Sequence, residues 1–152
     1  MPNRLAIVLL ITVIVSSVLL GCTESQSKEE NINPIVKINQ IVNIENSEVT
    51  KIVFFDGRGG RNKPFALTDK QKIEGFMKMI DNYKIQKEIK HKDFTGWIHK
   101  ANFYMGNKKL MGITFTKPLE IDGKYYDIIK GKLSTEEIDN FIKSANPDWK
   151  LQ

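Results

Sequence analysis

From residue 35 onward the apolar positions change period several times, and each change predicts an element. Residues 35–44 are apolar at 35, 36, 38, 41, 42 and 44, which fits neither alternation nor a helical stripe, and the segment is read as a strand. Residues 49–55 are rich in β-branched and aromatic side chains and run into Asp56-Gly57-Arg58-Gly59-Gly60, so a strand is predicted to turn there into a hairpin. Its return arm is placed at residues 63–67. Thr68 and Gln71 then match a capping box, and Ile73, Phe76, Met77 and Ile80 follow at helical spacing, so one stripe of a helix should face a core.

After Asn82 the period becomes two. Tyr83, Ile85 and Ile89 fall on one side of a strand, with Lys84, Gln86 and Glu88 on the other. Residues 97–105 give another strand with Trp97, Ala101, Phe103 and Met105 on one face, and Gly106-Asn107-Lys108 turns the chain toward Met111, Ile113 and Phe115. Lys117-Pro118 must end that strand or make it an edge, and Ile121-Asp122-Gly123-Lys124 offers a further turn before a last strand at residues 125–129. Ser134-Thr135-Glu136-Glu137 is a second capping box, followed by Ile138, Phe141, Ile142 and Ala145 at helical spacing and a stop at Asn146-Pro147. Trp149, beyond that stop, is expected to fold back as a plug, because an indole left in water wastes a large apolar surface. The coarse order is strand, strand, helix, four strands, helix. It predicts an α+β fold, an antiparallel β-sheet with two amphipathic helices packed on one face.

The first 34 residues obey other rules. Arg4 gives a short positive start, and residues 5–20 are apolar apart from Thr12, Ser16 and Ser17, the pattern of a signal segment. That run is shorter than the roughly 20 residues that span a bilayer comfortably. It ends in Leu19-Leu20-Gly21-Cys22, which resembles the lipobox of bacterial lipoproteins: Leu three positions before the cut, a small residue just before it, then cysteine. Leu20 departs from the pattern, where smaller residues are commoner. The resemblance implies cleavage between Gly21 and Cys22, a diacylglyceryl group on the Cys22 sulfur, and anchoring at the extracytoplasmic face of the cell membrane. Residues 23–31 carry no apolar side chain and read as a flexible tether. The expected organisation is a signal peptide at 1–21, a lipidated N-terminus and tether at 22–34, and one α+β domain at 35–152. The whole resembles the small single-domain lipoproteins of Gram-positive bacteria, whose activity is undefined.

Composition agrees with a globular domain, at 41% hydrophobic and 27% charged residues. The 23 basic against 18 acidic residues leave a formal net charge of +5, and loss of residues 1–21 would remove only Arg4 from that balance. So mild an excess, spread along the chain, favours anionic lipid or wall polymer as a loose partner and carries no nucleic-acid motif. The single cysteine excludes an intrachain disulfide.

Catalytic chemistry finds little support. The Gly-rich run at 56–61 invites a phosphate cradle, but such a cradle opens a helix, whereas here the helix start comes only at Thr68. A hairpin loop is the preferred reading, with Arg58, Arg61 and Lys63 as candidate anion contacts. His91 and His99 lack metal-ligand spacing and are read as a loop and a strand histidine. Ser134 is best used as a cap, Ser47 and Ser144 stand at no diagnostic distance from a histidine, and Glu45, Glu48 and Asp56 read as surface charges. Lys84, Lys87, Lys90, His91, Lys92, Lys100, Lys108 and Lys109 form a basic stretch diluted by Glu88 and Asp93. The expectation is a non-enzymatic binding or interaction module at the cell surface, needing no cofactor or metal. Electrostatic attachment to anionic envelope polymer or lipid is the first alternative. A small hydrolase built on His99, Asp127 and a serine is the second.

Overall fold

The computed structural model describes residues 33–41, 49–89, 96–132 and 134–151. Residues 35–44 fit no single period because they are two pieces: a three-residue strand, β1 (Ile35–Lys37), and one helical turn, α1 (Ile38–Ile41), with 42–44 outside the described residues. The predicted hairpin is present, as β2 (Lys51–Asp56) paired antiparallel with β3 (Phe65–Leu67).

Helix α2 (Lys70–Asp81) begins one residue later than the capping box predicts. Its N-cap is Asp69, whose carboxylate accepts from the Lys72 backbone N–H at 2.9 Å, not Thr68. Both residue types cap well, and the pattern alone does not choose between neighbours. Asp69→Ala should therefore cost about 1 kcal/mol in chemical denaturation, and Thr68→Ala a few tenths at most. Equal losses from the two would contradict the assigned cap.

Beyond α2 stand β4 (Lys84–Lys87), β5 (His99–Met105), β6 (Lys108–Thr114), β7 (Leu119–Ile121), β8 (Lys124–Lys130) and helix α3 (Thr135–Ala145). Five strands thus lie between the two long helices where four were expected, since β7 is a three-residue piece too short to show a period. The eight strands form one antiparallel sheet in the order β1-β4-β8-β7-β6-β5-β2-β3. Strands β5 to β8 make a meander, while α2 carries the chain from one end of the sheet to the other. Both edge strands are three residues long, which limits edge-to-edge pairing with other chains.

Residues Asn33–Gln152 form one unit around one core. Strand parity selects its members: Ile52 and Phe54 of β2, Ala101 and Phe103 of β5, Met111 and Ile113 of β6, Leu119 and Ile121 of β7, all buried. The stripe predicted for α2 is buried at all four positions, and Ile138 and Ile142 of α3 are buried too. Phe76 of α2 meets Phe54 edge-on at 4.9 Å and Phe141 of α3 at 4.9 Å, so β2, α2 and α3 converge on one aromatic cluster. Ser134 caps α3 as expected, accepting from the Glu137 N–H at 3.1 Å.

Three residues leave the faces assigned to them. Ile89 lies past the end of β4 and is 75% exposed. Trp97 precedes β5 and packs against Gly57, where a Cβ would meet the Trp97 carbonyl and ring. Met105, at the far end of β5, is exposed. Between Trp97 and Met105 the core face of the strand is held instead by His99, Ala101 and Phe103. Among the described residues no helix is long and apolar enough to cross a membrane.

Candidate functional site

Two polar assemblies stand out, one sealed inside and one open on the outer face of the sheet. The sealed one starts from strand parity. Asp56 ends β2 and His99 begins β5, directly opposite each other in register and on the parity of Phe54 and Ala101. Asp139 of α3 and Arg58 of the hairpin turn close over them. The Arg58 guanidinium grips Asp139 with both terminal nitrogens, Nη1 to Oδ2 at 2.9 Å and Nη2 to Oδ1 at 3.0 Å, while its Nε donates to Asp56 Oδ1 at 2.7 Å. This is the fork geometry that makes arginine–carboxylate pairs strong.

Asp139 Oδ1 also accepts from Trp149 Nε1 at 3.1 Å and from His99 Nε2 at 2.9 Å. A carboxylate can only accept, so the proton of His99 sits on Nε2. Asn62 donates to Asp56 Oδ2 at 2.6 Å and to the Lys150 carbonyl at 3.1 Å, and the Lys150 N–H returns a bond to Asn62 Oδ1 at 2.8 Å. Turn, helix and C-terminal tail are thereby tied to the ends of two neighbouring strands, β2 and β5. Trp149 is the plug expected from its position, 1% exposed.

Burial pushes the Asp139 carboxyl up, but the hydrogen bonds from Arg58, His99 and Trp149 outweigh it and hold the group below the usual range. Asp56 is likewise held low, burial being overcome by Arg58 and Asn62. For His99 burial wins. It drives the imidazole below its ordinary 6.5 against the pull of Asp139, and Arg58 adds to the depression. His99 is therefore neutral at neutral pH.

The sign of the pH dependence follows. The unfolded histidine takes a proton near 6.5 that the folded one refuses, so stability present above that value is lost as pH falls through the depressed folded value. The two aspartates act the same way from 3.8 downward, adding a second loss in stronger acid. The thermal midpoint should decline in two stages on acidification from pH 7, and His99→Gln should flatten the first. A midpoint that rose between about pH 7 and pH 5 would contradict the arrangement.

Such a cluster holds structure together and has little access for catalysis, since the His99 ring is 1% exposed and its Nε2 is committed to Asp139. Asp127 lies elsewhere, on the outward side of β8 opposite Gln86. The Ser144 hydroxyl donates to the Phe141 carbonyl and Ser134 caps α3. Among the described residues no group of His, Cys, Asp and Glu could hold a metal ion.

The hairpin-loop cations part company. Arg58 turns inward to the two aspartates, whereas Arg61 and Lys63 are exposed and line a depression of about 300 Å³ together with Lys150 and Asp148. Of the basic stretch, Lys90, His91 and Lys92 lie outside the described residues; among the described ones, Lys84 and Lys87 on β4 are separated by β8, β7 and β6 from Lys100 on β5. Cys22, Gly21, His91, Asp93, Glu45, Ser47 and Glu48 lie outside the described residues.

The open assembly is on the other face of the sheet. Lys100, Thr114 and Glu120 stand side by side on β5, β6 and β7, and Asn102 stands opposite Gly112 in the neighbouring row. A bulge in β6 pairs Tyr104 with Lys109 where plain alternation from Phe103 and Met111 would give Leu110. Lys109 is thereby turned to the outer face, and Leu110 packs against the core. Asp122, in a left-handed turn conformation (φ 46°), accepts from the Gly112 N–H at 2.9 Å and faces Lys109 Nζ at 3.4 Å.

Lys100, Lys109, Gly112, Thr114, Glu120 and Asp122 line a pocket of about 290 Å³. Gly112 is its floor, where a Cβ would come within 2.8 Å of Asn102 Oδ1 and 2.9 Å of Lys109 Nζ. Asn102 Oδ1 is buried and, among the described residues, has no hydrogen-bond partner. Sequence reading missed this site because its residues are ordinary outward strand positions, and only the bulge and the glycine make them converge.

No protein-family model matches the sequence, and no curated protein or solved structure matches the chain.

Proposed function

We propose that the chain is a bacterial lipoprotein, cut before Cys22 and anchored through lipid on that residue at the extracytoplasmic face of the cell membrane. Its α+β domain, with two helices packed on one face of the sheet, acts as a non-enzymatic binding module for an envelope component. The observation that carries the binding role is the contrast between the two assemblies. The acid–base groups of the inner one are spent on one another, while the outer sheet face keeps a row of charged and polar side chains, Lys100, Thr114 and Glu120, around an accessible pocket. Buried polar groups that satisfy one another rigidify a fold, and polar groups that converge on an open pocket orient a ligand.

Photocrosslinking in intact cells tests the module. A crosslinking residue at Lys100 or Asp127, on the outer sheet face, should give adducts with envelope material, and one at Lys78 or Glu136, on exposed helix positions, should not. Equal labelling from both sets, or none from either, would overturn the assignment of the binding face.

A second reading has one observation in its favour, the exposed Arg61, Lys63 and Lys150 around one depression. It would attach the domain to anionic polymer or lipid, with binding that weakens steeply as salt shortens the reach of surface charge.

A further inference from the structure

Resting on the reading of the outer sheet face as the binding face, we infer that the pocket over Gly112 takes a neutral sugar unit, held by its hydroxyl groups. The pocket's charged groups are two ammoniums, Lys100 and Lys109, and two carboxylates, Glu120 and Asp122. They balance, so neither a phosphate nor a polycation is favoured over a neutral solute. What they offer is a ring of strong donors and strong acceptors at short range, which suits a ligand that both donates and accepts at several points. Sugar hydroxyls do both.

Four further features point the same way. Asn102 Oδ1, a buried acceptor without a partner among the described residues, lies next to the floor, 2.8 Å from where a Gly112 Cβ would stand, and such an atom costs free energy. Gly112 removes the side chain that would hold a ligand off the strand, a recurrent use of glycine where something approaches the backbone closely. Tyr125 of β8 stands opposite Glu120 in register, which sets an aromatic residue next to the polar groups on the same face. A volume of about 290 Å³ suits one residue of a saccharide and is small for an extended peptide.

The test is titration of the full chain in detergent micelles with N-acetylglucosamine, followed by saturation-transfer NMR, with glycine as the zwitterionic control. Saturable binding of the sugar and none of glycine is expected. Gly112→Ala should weaken it at least about tenfold by filling the floor and displacing Asn102 Oδ1 and Lys109 Nζ from it. The atoms it meets belong to side chains and not to backbone, so the fold should tolerate it. Glu120→Gln should also weaken binding, and Lys84→Ala, on β4, should not. No saturable sugar binding, stronger binding of glycine, or sugar binding indifferent to both pocket variants would overturn the inference. Crosslinks from Lys100 that persisted without sugar binding would leave the binding face standing and remove only this ligand.

Discussion

Asp139→Ala is expected to destabilise the domain by about 3–5 kcal/mol, because it breaks a buried bidentate ion pair and leaves both terminal nitrogens of the Arg58 guanidinium unmet, with Asp56 at Nε the carboxylate that remains. Asp139 accepts from Arg58 twice, from His99 and from Trp149, so its loss frees four donors in a site where water has little access. The double variant Arg58→Ala with Asp139→Ala should be less damaging than the sum of the two single ones, since removing the arginine also removes the guanidinium donors left unmet. Urea denaturation monitored by tryptophan fluorescence measures all three. A loss under about 1 kcal/mol for Asp139→Ala would mean the pair behaves as an exposed one.

That network shows where sequence reading stops. Its parts carried a faint signal: Asp56 and His99 share strand parity with buried apolar residues, and a polar side chain on core parity needs a buried partner. The partner, Asp139, could not be seen from the periodicity of α3. It sits at the border of the stripe of Ile138, Phe141, Ile142 and Ala145, where polar residues are ordinary, and only the tertiary placement of Arg58 and Trp149 makes it buried.

The elements were more legible. Stripes of four apolar residues and the Ser134 cap defined the long helices, because a helix repeats its pattern over several turns. Pieces of three or four residues, such as β7 and α1, do not repeat enough to show a period, and the neighbouring caps Thr68 and Asp69 differ only in which one the chain's entry angle selects. The antiparallel α+β class followed from short turns and the absence of repeated crossovers. The order of strands did not, since the pairing of β2 with β5 and of β4 with β8 is decided by which faces must share a core.

The outer pocket was invisible for a different reason. Lys109 reaches it through a bulge, and the sequence 108–114 alternates no better with the bulge than without it. Where one extra residue redirects a side chain, only the pairing with the neighbouring strand reveals it.

The anchor is the part of the account that decides where all of this operates. Anchoring by two or more acyl chains on Cys22 would be stable, whereas each chain alone gives only marginal attachment. Growing cells expressing the full chain in labelled palmitate should yield a labelled protein that sediments with membranes, and Cys22→Ala should lose the label completely and accumulate at the size of the uncleaved precursor. A Cys22→Ala protein that still carried labelled fatty acid would contradict the central claim.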